Sequence, residues 1–195
     1  YAQEVPTEAW RSSMTVAREV SLKKTNDGYI LRNIPVAQLK KYQGKSTRKT
    51  IKVKAENQLI EKSQIDLSKA VVDLDLKKMT AGKYTFALKN ALGEELTFGI
   101  DNTTKELFVD RSKSGNTDFG NHFATAVSKA PLNKVYSNVK MKLVIDKTSI
   151  EIFFNDGEKV LTEIFFPNEH FSELYLSTDT KGSTLNIRGH QLNIN

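Results

Sequence analysis

The 195-residue chain contains no cysteine, which excludes disulfides, thiolate metal sites and a cysteine nucleophile. It has only three histidines, His122, His170 and His190, far apart and without a His-x-His or His-x-x-x-His spacing. No metal site is expected from them. A Gly-x-Ser-x-Gly elbow, a Gly-rich phosphate loop and a dinucleotide fingerprint are all missing, so neither a serine hydrolase nor a cofactor enzyme is expected. Asp101-Asn102-Thr103 and Asn155-Asp156-Gly157 carry calcium-type oxygens but lack the remaining carboxylates of a binding loop, and read as turns. No apolar run approaches the ~20 residues of a membrane-spanning helix, and no membrane partner is expected. There is no basic-then-apolar leader, and the chain starts at Tyr1 instead of Met, as a trimmed or excised piece does. The compartment therefore stays open.

What the chain does have is alternation. Val72-Asp73-Leu74-Asp75-Leu76, Tyr84–Leu88, Met141–Ile145 and Thr184–Ile187 alternate apolar and polar residues, the mark of a half-buried strand. Shorter runs at Gly28–Ile34, Glu95–Ile100, Glu106–Asp110, Ser149–Phe154, Thr162–Phe166 and Glu173–Ser177 read the same way. Asn155-Asp156-Gly157-Glu158, Asn90-Ala91-Leu92-Gly93 and Asp101-Asn102-Thr103-Thr104 supply the tight turns between them. One segment reads as helical: Pro35–Tyr42, opening on a first-turn proline and ending near Gly44. Many short strands and one connector helix predict an all-β fold, a two-sheet antiparallel β-sandwich of jelly-roll or concanavalin-like type. Ser112–Asn138 is weakly periodic and reads as a long excursion between strands. The first ten residues read as a terminus free to fray.

The formal charge of +6 arises from 29 basic and 23 acidic residues. The cations sit at alternating strand positions, as in Thr50-Ile51-Lys52-Val53-Lys54, and form no single stripe, so no nucleic-acid partner is expected. Among the carboxylates, Asp73 and Asp75 share one strand face. That spacing is open to a catalytic pair, but a solvent-facing strand edge neutralised by Lys77 and Lys78 explains it better. Glu151, between Ile150 and Ile152, reads as an outward residue or as the partner of a base. Of the loop aromatics, Phe119 and Tyr136 are the candidates for sugar contact, although core packing is the ordinary role of such rings.

Trp10-Arg11-Ser12-Ser13-Met14-Thr15-Val16-Ala17-Arg18-Glu19-Val20-Ser21-Leu22 resembles the segment that closes the catalytic domain of fructan-cleaving enzymes (invertases, inulinases, levanases) in glycoside hydrolase family 32. Three later stretches resemble the family's C-terminal domain in the right order. They are Leu107-Phe108-Val109-Asp110-Arg111-Ser112-Lys113-Ser114-Gly115, Ser149-Ile150-Glu151-Ile152-Phe153-Phe154-Asn155-Asp156-Gly157, and Thr162-Glu163-Ile164-Phe165-Phe166-Pro167. The resemblance implies that residues 1–31 end the catalytic propeller and form the inter-domain segment, and that residues 32–195 form the C-terminal sandwich. It also implies a seam containing Trp10, Arg11, Met14, Arg18 and Glu19, and an ion pair of Asp110 with Arg111 bracing the excursion.

The departures matter as much. The family carries its catalytic carboxylates in Asn-Asp-Pro, Arg-Asp-Pro and Glu-Cys motifs. Here the four prolines are Pro6, Pro35, Pro131 and Pro167, none after an aspartate, and cysteine is absent. No catalytic residue can be assigned. The chain is expected to be inactive alone, with the propeller of the same polypeptide as its partner and fructan as a further one. The resemblance implies a parent exported to the periplasm, cell surface or medium.

Overall fold

The computed structural model describes residues 2–26, 28–62 and 64–194. Fourteen strands and one 3-10 helix make up the described fold. A short hairpin comes first, β1 (Arg18–Thr25) and β2 (Gly28–Pro35). The 3-10 turn Ala37–Tyr42 leads from it into β3 (Gln43–Lys52) and β4 (Gln58–Lys62). Then follow β5 (Ala70–Lys77), β6 (Lys83–Lys89), β7 (Glu95–Asp101), β8 (Glu106–Lys113) and β9 (Ser128–Pro131). The chain closes with β10 (Asn138–Asp146), β11 (Ser149–Phe154), β12 (Lys159–Ile164), β13 (Glu173–Thr178) and β14 (Thr184–Leu192). One six-stranded sheet has the order β12-β11-β10-β5-β14-β3 and the other β4-β13-β6-β7-β8-β9. All pairings are antiparallel.

Period-two alternation accounts for the core. Val72, Leu74 and Leu76 of β5, Met141, Leu143 and Ile145 of β10, and Leu185 and Ile187 of β14 point inward. They meet Tyr84, Phe86 and Leu88 of β6 and Leu96, Phe98 and Ile100 of β7 across the sandwich. Phe86 and Phe98 stack with centroids 5.5 Å apart. Each such aromatic side chain contributes roughly 2–3 kcal/mol of apolar burial, and together they hold the two layers. On the outer face of the first sheet, Val71, Val144, Phe153 and Leu192 form a smaller cluster joined by Val16 and Leu39. The incoming chain is packed onto this cluster.

Several expectations need correction. The connector is a 3-10 helix beginning at Ala37, because Pro35 closes β2, paired with Arg18. It ends at Tyr42, near Gly44 as expected, and Gly44 itself already lies inside β3. β5 lies between β10 and β14, and the counter-charges on its polar face are Lys77 for Asp75 and, in place of Lys78, Lys142 for Asp73. The excursion contains β9, a four-residue border strand whose Pro131 lacks the N–H of an inner strand. The first residues are not all loose, since Val5 is buried against Phe123 and Phe166. The Asp-Gly turn behaves as its chemistry requires: Asn155, Asp156 and Gly157 have φ of 43°, 58° and 83°.

Candidate functional site: the seam

The four motif segments meet in pairs. Glu151 projects outward from β11 and is buried. One carboxylate oxygen accepts the Val16 N–H at 2.7 Å, and the other accepts Arg18 Nε at 3.1 Å and Nη2 as well. Arg18 also donates to the Thr162 hydroxyl and lies 5.1 Å over the Phe153 ring. A buried carboxylate needs such a complete set of donors, since an unpaired charge away from water costs several kcal/mol. Thus the first motif is fastened to the Ser149–Gly157 motif. The same hairpin turn grips β2: Asn33 N–H donates to Gly157 O at 3.0 Å, and Arg32 Nε donates to Asp156 O. A Cβ at residue 157 would stand 2.0 Å from Asn33 O, so only glycine permits the contact.

The other two motifs pair at the end of the sandwich. Adjacent strand residues face opposite ways, so Arg111 reaches across to Glu163 at 3.1 Å and to Ile164 O, and stacks 4.1 Å over Phe123. Asp110 instead accepts the Ser112 N–H. The brace therefore joins the excursion to β12 through Glu163, replacing the expected Asp110–Arg111 pair. Ser114 is buried, and Asn116 N–H donates to Phe166 O.

The seam residues fall into two groups. Trp10 and Met14 line a surface hollow with Phe166 and Pro167, yet Trp10 is 46% and Met14 98% exposed. Arg11 bonds back to Gln3 O. Arg18 is tied down as described, whereas Glu19 lines a groove between the hairpin and the first sheet. The hairpin's outward face carries Val20, Leu22, Tyr29 and Leu31, exposed by 57, 69, 68 and 54%. Leu22 stands directly opposite Leu31. These four residues form an apolar set on one exposed face of the hairpin.

The proposed sugar contacts are occupied by packing. Phe119 lies 4.4 Å from Phe123 and 5.3 Å, edge-on, from Phe166. Tyr136 meets Phe154 edge-on at 5.2 Å, and burial raises its phenol pKa. Asp73 and Asp75 do share a face, lining the groove, but Lys142 holds the first and Lys77 the second. Each carboxylate is thus engaged by its own lysine on the sheet face. Among the described residues no group of three His, Asp or Glu side chains gathers as a metal site, and no helix is long and apolar enough to cross a membrane.

The sequence leaves Glu151 as either an outward residue or the partner of a basic one and names Arg18 as a seam residue, without joining the two. The Arg111–Glu163 brace has no signature in the sequence, because it joins β8 and β12, which belong to different sheets. The motifs' co-occurrence was the only available signal.

Comparison with known proteins agrees with this geometry. The C-terminal domain model of glycosyl hydrolases family 32 matches residues 37–191. The levanase of Bacillus subtilis is 33% identical over 90% of this chain, which spans 26% of that protein. The extracellular exo-inulinase of Aspergillus niger is 28% identical over 96% of the chain and 35% of its own length. The crystal structure of exo-inulinase from Aspergillus awamori superposes with a TM-score of 0.82 at 26% identity, covering 98% of this chain and 38% of that one. The chain thus spans about a quarter to two-fifths of these relatives. Matched motifs, matched sheets and a family model across nearly the whole sandwich make this chain a member of glycoside hydrolase family 32, corresponding to its C-terminal domain.

Proposed function

We propose that the chain is the non-catalytic C-terminal sandwich of a fructan-hydrolysing glycosidase and that it holds the catalytic propeller of the same polypeptide in place. The observation that carries this reading is the two-sided hairpin. The face that carries Lys23 and Arg32 is fastened to the sandwich through Glu158 and Asp156 O, and Arg18–Glu151 anchors the start of β1, while Val20, Leu22, Tyr29 and Leu31 on the opposite face are left open to water. Exposed apolar residues on an anchored hairpin fit a partner that covers them, and a rigid attachment transmits that docking. In this reading residues 1–31 belong to the seam and 32–195 to the sandwich, with β2 running from one to the other.

The levanase and exo-inulinase names of the relatives support fructan as the substrate class of the whole enzyme, and the word extracellular supports export. Fructan recruitment by the sandwich has less support, because Phe119 and Tyr136 are packed against other rings.

Two measurements test the reading. The purified chain is expected to release no fructose from levan, inulin or sucrose. Added in trans to the separately expressed upstream domain, it is expected to raise that domain's melting temperature, and L22D/L31D is expected to abolish the rise. Turnover by the chain, or a rise unaffected by the double variant, would overturn the proposal.

A further inference from the structure

The groove between the hairpin and the first sheet is about 820 Å3, within the size range of small-ligand sites. Its floor is built by register. Lys142 on β10 stands opposite Asp73 on β5, Asp73 opposite Arg188 on β14, and Arg188 opposite Arg48 on β3. The four side chains form one cross-strand row on the outer face. Asp73 is taken by Lys142, and among the described residues no carboxylate pairs with Arg188 or Arg48. Like charges directly opposite each other on neighbouring strands repel. A sheet that needed only its fold would gain by replacing one of them.

The rest of the lining does not cancel this charge. Setting aside the Lys142–Asp73 pair and Asp75, which Lys77 holds, the groove keeps five cations against two carboxylates, Glu19 and Asp156. Lys140 shares this face at the next outward position along β10, two strands from Arg188, and adds positive charge to the same groove. Phe153 and Ile34 supply apolar wall on either side. Two guanidinium forks on directly opposed residues suit a tetrahedral oxyanion, which each fork binds through paired charge-assisted hydrogen bonds.

We propose that this groove is an oxyanion site for a small phosphate-bearing ligand, with Arg48 and Arg188 as its binding residues and Lys140 as a flanking charge. The proposal concerns the chain's own groove and does not depend on the role given to the hairpin's outer face. The chain binds inorganic phosphate saturably, and phosphate raises its melting temperature by mass action.

The test is calorimetric titration of the chain with inorganic phosphate, with fructose and with chloride at matched ionic strength, on wild type, Arg48→Gln, Arg188→Gln and the control Lys181→Ala. Both arginines are exposed, so the glutamine variants fold, which an unchanged or raised melting temperature without phosphate verifies. Each arginine variant is expected to weaken phosphate binding about tenfold, while Lys181→Ala leaves it unchanged. Absence of saturable binding, binding equally strong in the arginine variants, a response reproduced by chloride, or fructose binding as tight as phosphate would each overturn the assignment.

Discussion

The β1–β2 hairpin and the β6–β7 hairpin are written in the same alternating code and use it in opposite ways. In β6–β7 the apolar set, including Tyr84, Phe86, Leu96 and Phe98, is fully buried within the chain's own sandwich. In β1–β2 the apolar set Val20, Leu22, Tyr29 and Leu31 faces water, and polar groups make the attachment to the sandwich. The comparison teaches that period-two patterning fixes which residues share a face but not what covers it. A buried face contributes to the domain's own folding energy, whereas an open face held on ionic anchors contributes little to it.

That contrast can be broken from either side. The largest effect is expected in the core: Phe98→Ala should destabilise the chain by about 3–5 kcal/mol, measured by urea unfolding. Glu151→Gln removes the ion pair while keeping an acceptor for Val16 N–H. It should weaken hairpin docking by about 2 kcal/mol, seen as faster amide exchange in β1 with little change in global unfolding. Gly157→Ala should free β2 in the same local way by more than about 1 kcal/mol, because its Cβ meets Asn33 backbone at a positive φ. The sole tryptophan, Trp10, just ahead of β1, gives a fluorescence readout of both changes.

A smaller effect is expected with acid. Burial pushes Glu94 upward, but hydrogen bonds from Asn168 and Asn90 outweigh it and hold its pKa below the ordinary carboxylate value. Glu173 is likewise held low, first by its hydrogen bond from Lys62. Both groups bind protons more readily when unfolded. Their stabilisation is therefore present above the ordinary carboxylate range and is lost as pH falls through the lowered folded values. An E94Q variant should flatten that acid limb in a pH series of melting temperatures. Least of all, Leu22→Ala with Leu31→Ala should leave the chain alone within about 0.5 kcal/mol of wild type.

Most strands were legible because their core residues alternate cleanly, as in β5, β10 and β14. β3 was harder to read, since an edge strand of lysines and threonines has little apolar face to betray it, and β4 because it is only five residues long. β9 was hidden inside a polar excursion. The seam was legible as a set of motifs, and Glu151 as either an outward residue or the partner of a basic one. The groove was not legible. Its charged row exists only once β10, β5, β14 and β3 are laid side by side in register, and no spacing along the chain encodes that neighbourhood. Asn102 was similarly obscured: it reads as a turn residue, but its buried amide donates to Thr80 O and Tyr136 O and ties three connections together.

β3 is the border of its sheet and carries Lys45, Arg48, Lys49 and Lys52 in ten residues. Two copies meeting border to border would have to bring eight positive charges together along one hydrogen-bonded ladder. Fibrous growth by strand addition is thus opposed at this side by Coulomb repulsion, and more strongly so in dilute buffer than in salt.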